Sequence, residues 1–471
     1  MDTTENKLMT IADQLPLSIL ISQLKGANPD LTFDDLRNEL KKKVDGDVQY
    51  YHINMKETDD LCILYYSDLP NSQEGRDPQV VELERSCRSI ILDKQTLTPI
   101  GSQFNRIVYN TEALEFLGTK DWSNIVVQKC YEGTMLLVFN HNDQWYVSTR
   151  RCINSEDSTW VRNKSYREMF DEAMDGKFTF ENLNKNLCYH FVIVHYKNRN
   201  IVNYSDMGQE YKDIYHILTT EKYTMNEVES NVEGTQKVQE EEFSTLDSLM
   251  NNLVATSQQN EFQHKITTEG YVLRVYDGEK YKSSFTVAKL QTEIYQTIMK
   301  MKPNNNNIHQ SYLELYQKNK LGDFLPYFTK YSTELTKRIH TSMRNVAKEI
   351  LDLYHCTRQK KNPHIYANLT DQYKKVLYGL HGLYIQHRKQ DFSNGKEDKD
   401  KISKSINVHD VYHYIKSLPA HELRQIFYER TKLINEPTNT FINKNCIYTK
   451  TQCQLMFNTA EKLAKVQSSE S

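Results

Sequence analysis

The sequence predicts an α+β protein: a domain of antiparallel sheets with flanking helices, followed by an all-helical C-terminal domain. From about residue 80 to 290, short β-rich runs such as 189–194 alternate with Asn, Asp and Gly turns. After Lys302-Pro303 and four asparagines, the apolar residues recur at helical spacing. That spacing is carried by Leu335, Ile339, Val346, Ile350 and Leu353. We therefore expect three regions, at 1–78, 79–300 and 301–471.

The elements are expected in the following order. Residues 15–24 and 32–44 have amphipathic helical spacing, and Thr32-Phe33-Asp34-Asp35 is typical of a helix start. The runs at 89–92, 125–128, 135–139 and 146–149 favour strands, and residues 140–143 (Asn-His-Asn-Asp) predict a hairpin loop. Residues 226–262 are acidic and rich in Gln and Asn, which predicts a solvated insertion with some helix.

Composition narrows the class of protein. The chain has 471 residues, enough for two or three domains, and its net charge of -3 means that any nucleic-acid surface must be a local basic patch. Its eight cysteines contain no CxxC pair, which favours a reducing compartment and argues against a zinc finger. No apolar run approaches the ~20 residues that span a bilayer, and the Met1 end does not resemble a signal peptide. We expect a cytoplasmic protein without membrane contact.

The segment Lys129-Cys130-Tyr131-Glu132-Gly133-Thr134 lies at the end of a strand-like run and carries the clearest chemical pattern. A lysine amine at a strand end can attack the α-phosphate of a nucleotide, and a nearby acid can orient it or hold the ribose. A glycine lets the backbone approach a ligand closely. Taken alone, the segment is more typical of a hairpin that carries a surface lysine, and only the segments around it favour the chemical interpretation.

Further polar segments occur in a fixed order around this one, each beside a strand-like run. They are Glu84-Arg85-Ser86-Cys87-Arg88, Ser148-Thr149-Arg150-Arg151, Asn198-Arg199-Asn200-Ile201-Val202, Glu269-Gly270-Tyr271-Val272 and Lys280-Tyr281-Lys282. Over residues 80–290 this order resembles the nucleotidyltransferase motifs of ATP-dependent RNA ligases. It is most similar to the bacteriophage RNA ligase 1-like group and to the predicted RNA ligases of large cytoplasmic DNA viruses of the asfarvirus type.

The resemblance implies an adenylylation domain at 79–300 and a role for each matching residue. Lys129 would accept AMP from ATP, and Glu269 would support Mg²⁺. The nucleotide would be held by Arg88, Glu132, Arg150 and Lys282, and RNA by Asn198 and Arg199. AMP would then pass to an RNA 5′-phosphate, and an RNA 3′-hydroxyl would displace it. The expected partner is RNA with nicked or broken ends, including tRNA, in the cytoplasm of a host cell if the protein is viral.

The sequence departs from the family pattern at three places. The family's first motif reads Lys-x-Asp-Gly, whereas two residues separate Lys129 from Glu132 here, and one extra residue in a strand moves a side chain to the opposite face. Val192 stands where the family has an acid. Lys282 lacks the usual second base two residues later, and Lys280 and Lys289 compete with it for the same role.

The C-terminal region contains a basic and aromatic stretch. Residues 330–390 hold 12 Lys/Arg against 4 Asp/Glu, with 6 Tyr and 5 His interleaved. Cations of this kind bind the phosphate backbone, and aromatic rings stack on unpaired bases. The candidate RNA contacts are Lys337, Arg338, Lys374 and Lys375. The stretch is equally compatible with a solvated helical face whose tyrosines lie in the core.

Two other functions stay open at this level. A capping-type guanylyltransferase shares the lysine–nucleotide chemistry but uses GTP. A non-catalytic RNA-binding protein derived from a ligase would explain the altered first motif and Val192. Formation of a lysine adduct from ATP, from GTP or from neither distinguishes the three possibilities.

Overall fold

The structure is a computed structural model that describes residues 9–435, apart from 45, 47, 67–74, 105–106, 162–163, 304–307, 360–362, 368 and 394–404. The chain divides into two compact units, Met1–Thr297 and Ile298–Ser471, called here the N-terminal unit and the C-terminal unit. Sheets belong to the first unit, and the described elements of the second are all helical.

The described strands are β1 (Lys43–Val44), β2 (Val48–Gln49), β3 (Ile53–Glu57), β4 (Leu61–Tyr66), β5 (Arg88–Asp93), β6 (Pro99–Gly101), β7 (Val108–Tyr109), β8 (Ile125–Lys129), β9 (Thr134–His141), β10 (Gln144–Ser148), β11 (Thr159–Val161), β12 (Lys164–Ser165), β13 (Leu187–His195), β14 (Lys212–Glu221), β15 (Glu227–Val228), β16 (Gln236–Lys237), β17 (Gly270–Tyr276) and β18 (Phe285–Gln291). The described α-helices are α1 (Pro16–Ala27), α2 (Phe33–Leu40), α3 (Pro78–Ser86), α4 (Asn110–Leu117), α5 (Tyr166–Met174), α6 (Leu246–Gln263), α7 (Glu293–Met301), α8 (Ile308–Gln317), α9 (Leu321–Phe324), α10 (Ser332–Tyr354), α11 (Pro363–Ala367), α12 (Asp371–Ser393), α13 (Val408–Ser417) and α14 (Ala420–Asn435).

Three larger, mainly antiparallel sheets and two two-stranded ones, β1-β2 and β11-β12, are described in the N-terminal unit. The strand order is β10-β9-β13-β14-β15 in the largest sheet, where β16 also pairs with β14. A second sheet has the order β7-β18-β17-β8, and a third has the order β3-β4-β5-β6. In the second sheet, β17 lies between β8 and β18, so the ends of these three strands bring distant parts of the sequence together.

Each sheet buries an apolar face against helices. The second sheet packs Val127 and Leu273 against Leu249 and Leu253 of α6. The largest sheet packs its central strands against Phe170 and its neighbours on α5. The third sheet shares a core with α1, α2 and α3. Because burial of apolar area is the main stabilising contribution to folding, these helices decide which face of each strand is covered.

The predicted fold class is confirmed, because the structure is α+β with antiparallel sheets followed by a helical region. The hairpin is also confirmed: Asn142 and Asp143 have φ of 49° and 59° between β9 and β10, the backbone that a two-residue hairpin turn requires. The helix predicted at 32–44 is too long. It begins after Thr32, which forms a capping box with Asp35, but it ends at Leu40, and Lys43–Val44 is a strand.

In the C-terminal unit, the five apolar positions that predicted a helix are all buried on α10. The asparagine run at 304–307, which marked the proposed domain boundary, lies outside the described residues. In the part of the chain that the structure describes, no helix has the length and apolar character needed to cross a membrane.

Candidate functional site

The two faces of β8 have different surroundings. Ile125 and Val127 lie in the core that α6 covers. Side chains alternate along a strand, so Gln128 and Cys130 belong to the opposite face. The contacts agree, because the Gln128 amide donates to Glu240 and the Cys130 sulfur lies 3.3 Å from Glu269 Oε2. This face, which α6 does not cover and which is called here the open face, carries the candidate site.

A buried carboxylate, Glu269, is the centre of the site. Its Oε1 accepts hydrogen bonds from Lys289 Nζ at 2.9 Å and from Gln291 Nε2 at 2.7 Å, and its Oε2 accepts from the Cys130 thiol. Burial acts to raise the pKa of Glu269, but the charge and hydrogen bond of Lys289 outweigh it and lower that pKa. Burial opposes the charge on Lys289, yet the facing Cys130 and Glu269 groups raise its pKa. The pair is therefore charged, with the lysine as a fixed cation.

A second carboxylate, Glu132, is held by backbone amides. Its Oε2 accepts from the N–H groups of Ile201 and Val202 at 2.8 and 2.7 Å, and its Oε1 accepts from the Tyr295 hydroxyl at 2.8 Å. Burial raises the pKa of Glu132, against the effect of these donors. The segment at 198–202 (Asn-Arg-Asn-Ile-Val) thus has a structural explanation. It carries the two amides that fix Glu132, and its Asn198 donates to Thr134 Oγ1 at 2.8 Å.

Gly133 is required by a backbone contact. A Cβ at this position would lie 2.2 Å from the Ile193 carbonyl oxygen and 2.8 Å from Val192 Cγ1. The glycine therefore lets this segment pack against β13, whereas the sequence alone suggested close approach to a ligand. Val192, the residue in place of the family's acid, is part of that packing.

Two of the predicted nucleotide-binding arginines, Arg88 and Arg150, interact electrostatically with each other. Burial lowers the pKa of Arg88, and the charge of Arg150 contributes to the same shift. In the described part of the chain, Arg88 Nε and the Nε and Nη2 of Arg150 are buried without a hydrogen-bond partner. Tyr109 links them to the cluster, because it interacts electrostatically with Arg88 and its ring centre lies 6.0 Å from Lys289 Nζ. Arg88 and Lys289 therefore both lie near Tyr109, and Arg150, which interacts with Arg88 and stacks on Tyr66, adds a third positive charge.

A cavity of about 580 Å³ lies on the same strand face as Cys130, a volume that accommodates a small ligand such as a nucleoside. Its polar lining includes Gln128, Thr219, Glu227, Glu240 and Arg274. The Arg274 guanidinium donates to Glu227 at 2.6 Å, while its Nε has no partner among the described residues. The cavity thus offers both donors and acceptors next to the charged cluster.

Two of the predicted nucleotide-binding residues are not brought into this cluster. Lys129 leaves β8 on the same face as Ile125 and Val127, and its Nζ lies 5.9 Å from the Tyr131 ring centre. No hydrogen bond or ion pair joins it to Glu132 or Glu269, all three of which the structure describes. Lys282 lies in an exposed loop, where it pairs with Glu279. The roles assigned to both lysines remain predictions.

The magnesium role of Glu269 remains a prediction. Both oxygens of Glu269 accept hydrogen bonds from protein donors, so a bound Mg²⁺ would have to use their remaining lone pairs or displace these donors. The described residues also contain no group of three or more His, Cys, Asp or Glu side chains placed to hold a metal ion.

The four cations predicted to bind RNA in the C-terminal unit fall into two classes. Arg338 pairs with Glu334, and Lys375 pairs with Glu422 at 2.7 Å. Lys337 is exposed and Lys374 is half-buried, and within the described residues neither forms an ion pair. Arg199, the remaining predicted RNA contact, donates to the Ile201 carbonyl at 3.3 Å.

Sequence reasoning missed Gln291, Tyr295 and the position of Cys130, and it preferred Lys282 to Lys289. A usable signal was present, because Lys289 and Gln291 are two residues apart in a β-rich run and must share a strand face. Tyr295 carried no comparable signal, since it reaches Glu132 across 163 positions of sequence.

Comparisons with known proteins give weak similarities to viral proteins and ligases. No family model matches the chain. It is 23% identical over 248 residues, 49% of this chain and 50% of the relative, to the immediate-early protein ICP-46 homolog of Invertebrate iridescent virus 3. It is 28% identical over 127 residues to a protein of Autographa californica nuclear polyhedrosis virus named as a bifunctional polynucleotide kinase/RNA ligase. That match covers 24% of this chain and 17% of the relative.

Among solved structures, an ATP-dependent DNA ligase from Aquifex aeolicus aligns with 11% identity and a TM-score of 0.35, over 60% of this chain and 66% of its own. An archaeal ATP-dependent RNA ligase aligns with 11% identity and a TM-score of 0.33, over 53% of this chain and 68% of its own length. Both scores are below 0.5, so neither structure supports an argument about activity. The two viral relatives are matched over half of their length or less.

Proposed function

We propose that the N-terminal unit binds an adenine nucleotide in the cavity lined by Gln128 and Arg274 and at the charged groups around Glu269. We further propose that the chain joins RNA ends, as a polynucleotide ligase of the ATP-dependent class. The observation that carries the proposal is the buried cluster of Glu132, Glu269, Lys289 and Gln291 beside two arginines with unpartnered N–H groups. A fixed cation and free guanidinium donors are what a transferring phosphoryl group requires. The motif order and the similarity to a viral polynucleotide kinase/RNA ligase support the same class.

The cavity, the cations and the two carboxylates each have a separate role in this proposal. The cavity beside Gln128 and Arg274 would hold the base, because it combines hydrogen-bonding groups with apolar walls. Lys289 would contact the α-phosphate, and Arg88 and Arg150 would bind the outer phosphates or the phosphate of the RNA end. Glu132 and Glu269 would act by positioning, since three protein donors hold each carboxylate in place.

The nucleotide and the metal are the finer parts of the proposal. We take ATP as the nucleotide, following the family resemblance, and the Mg²⁺ requirement remains a prediction without a fitted protein site. The AMP acceptor predicted from the sequence is Lys129. Its place on the helix-covered face gives that role no geometric support, so the proposal does not depend on it.

The test is an end-joining assay with the full-length protein. The substrates are 3′-hydroxyl RNA with 5′-phosphate RNA in the presence of ATP, or with RNA that already carries 5′-linked AMP. We expect joined product with at least one donor, and isothermal titration calorimetry should show ATP binding that weakens in Arg88→Ala. The absence of both joined products would contradict the proposal, and a preference for GTP over ATP would favour a guanylyltransferase.

A second function is favoured by one observation. Both oxygens of Glu132 and both of Glu269 are already hydrogen-bonded within the protein, which is typical of structural carboxylates. A protein that holds RNA ends without joining them would show this pattern. It predicts ATP or RNA binding with no joined product from either donor.

A further inference from the structure

The residue at the acceptor position of the site is a cysteine. The family's first motif has its lysine two residues before the acid and three before the glycine. Counting back from Glu132-Gly133 by the same steps leads to Cys130 and not to Lys129. The structure supports this register, because Cys130 shares a strand face with Gln128 and contacts Glu269, whereas Lys129 follows Ile125 and Val127 to the covered face.

The contacts of Cys130 make it a poor acceptor. It is fully buried, and its sulfur lies 3.3 Å from Glu269 Oε2, where the thiol donates to the carboxylate. Burial and the negative charge of Glu269 raise the pKa of this thiol, so it is protonated at neutral pH. The nucleophilic form of a cysteine is the thiolate, and this environment suppresses it.

The nearest amine on the open face is also unsuited to accept AMP. Lys289 is held as a cation by Glu269, and an amine must lose its proton before it can attack phosphorus. Its ion pair instead makes it a fixed positive charge for a phosphate. Of the groups that surround Glu269 among the described residues, none is a free amine.

We infer that this chain does not carry AMP on a lysine and that it joins RNA whose 5′-phosphate already bears AMP. The inference rests on the proposed function and specifies its substrate class. In the reaction, the oxygen of an RNA 3′-hydroxyl bonds to the phosphorus of the donor's 5′-phosphate. The bond from that phosphorus to the oxygen bridging to AMP breaks, AMP leaves with that oxygen and its electron pair, and the hydroxyl proton passes to water. No oxidant, second nucleotide or protein adduct is needed. An upstream adenylylating reaction must supply the donor.

The decisive experiment compares two donors with the wild-type full-length protein. We expect 5′-adenylylated RNA to be joined to 3′-hydroxyl RNA without ATP, and 5′-phosphate RNA with ATP to give no product above a protein-free control. Intact-mass spectrometry after incubation with ATP and Mg²⁺ should show no AMP adduct. An adduct that maps to Lys129 and disappears in Lys129→Ala, with joining of 5′-phosphate RNA, would overturn the inference and leave the proposed function standing. Joining of neither donor would overturn both.

A gain-of-function variant tests the assigned position directly. Cys130→Lys restores the family spacing to Glu132-Gly133, and we expect an AMP adduct at residue 130 that wild type lacks. Cys130→Ser is the matched control, because it changes the same side chain without adding an amine. A folded Cys130→Lys protein without an adduct would contradict the assignment. If the buried lysine prevents folding, as judged by circular dichroism, the comparison of the two donors with wild type decides alone.

Discussion

The carboxylate cluster and the arginine pair differ in how far the protein satisfies them. Glu269 and Glu132 together accept six hydrogen bonds from protein donors. In contrast, three buried nitrogen atoms of Arg88 and Arg150 have no partner in the described part of the chain. A buried polar group without a partner costs free energy, so folding alone does not explain the arginines. Under the proposed function, the first region organises the site and the second binds the phosphates of the nucleotide or of the RNA end.

This comparison predicts opposite consequences for the two regions. Removing a group from the satisfied cluster should mainly reduce stability, because its partners become unpaired. Removing a group from the unsatisfied pair should mainly reduce binding, because its buried N–H groups have no hydrogen-bond partner in the described part of the chain that would be left unpaired. A result that reverses either expectation would show that the two regions do not differ in their contributions to stability and binding.

The largest effect is expected for Glu269→Ala. The substitution leaves Lys289 buried without its counter-charge, and breaking a buried pair from one side costs about 3–5 kcal/mol. Urea denaturation should show this loss in the free energy of unfolding. The double variant Glu269→Ala/Lys289→Met should recover part of the lost stability, because it also removes the unpaired cation. The control is Glu279→Ala, whose partner Lys282 is exposed, and which should change stability little. An intact Glu269→Ala protein of normal stability would contradict the structural role.

The same site shows what the sequence could and could not predict. The helical spacing of α10 could be predicted from the sequence because it depends on local periodicity. The order of the motifs could also be recognised, because each motif lies beside a strand-like run. The face on which Lys129 emerges was not, because it depends on α6, which covers β8 from more than a hundred residues away. Likewise, only the pairing of β17 with β18 brings Lys289, and not Lys282, to Glu269.

The next effect concerns two buried histidines, His190 and His216, the second of which lines the cavity. Burial lowers the pKa of His190 to about 3 and that of His216 to about 4, and His190 Nδ1 has no partner among the described residues. The unfolded chain binds these protons near pH 6.5 and the folded chain does not. Stability should therefore be complete above pH 6.5 and should fall as the pH decreases below it, by about 1.4 kcal/mol per pH unit for each histidine.

Urea midpoints measured from pH 7.5 to pH 5 check this dependence. In His190→Phe the slope of the free energy of unfolding against pH should be smaller than that of wild type by about 1.4 kcal/mol per pH unit, whatever the absolute stability of the variant. A slope that is unchanged in this variant would mean that His190 binds a proton in the folded protein.

A smaller effect is expected for the arginine pair. Arg88→Ala and Arg150→Ala should each weaken the binding of ATP by roughly 10-fold or more, the contribution of a charge-assisted hydrogen bond, with little loss of stability. Titration calorimetry with ATP and with inorganic pyrophosphate would measure it. Arg37→Ala is a suitable control, because Arg37 already pairs with Glu57 and Asp34. A stability loss as large as that of Glu269→Ala would place the arginines in the satisfied class.

The smallest effect extends the comparison to the C-terminal unit. If its basic helices bind RNA, the cations without ion pairs, Lys337 and Lys374, should contribute more than Lys375, because Lys375 must first leave Glu422. Each phosphate contact to a single strand adds about 0.7 to the slope of log affinity against log salt concentration. Lys337→Gln/Lys374→Gln should therefore lower that slope by about 1.4, and Lys375→Gln by less. Fluorescence anisotropy of a single-stranded RNA at several salt concentrations gives the slopes directly.

Equal slopes for wild type and both variants would mean that this face is solvated and that RNA, if bound, is held elsewhere. A larger change in Lys375→Gln would mean that ion pairing within the protein does not determine which cations are available to a ligand.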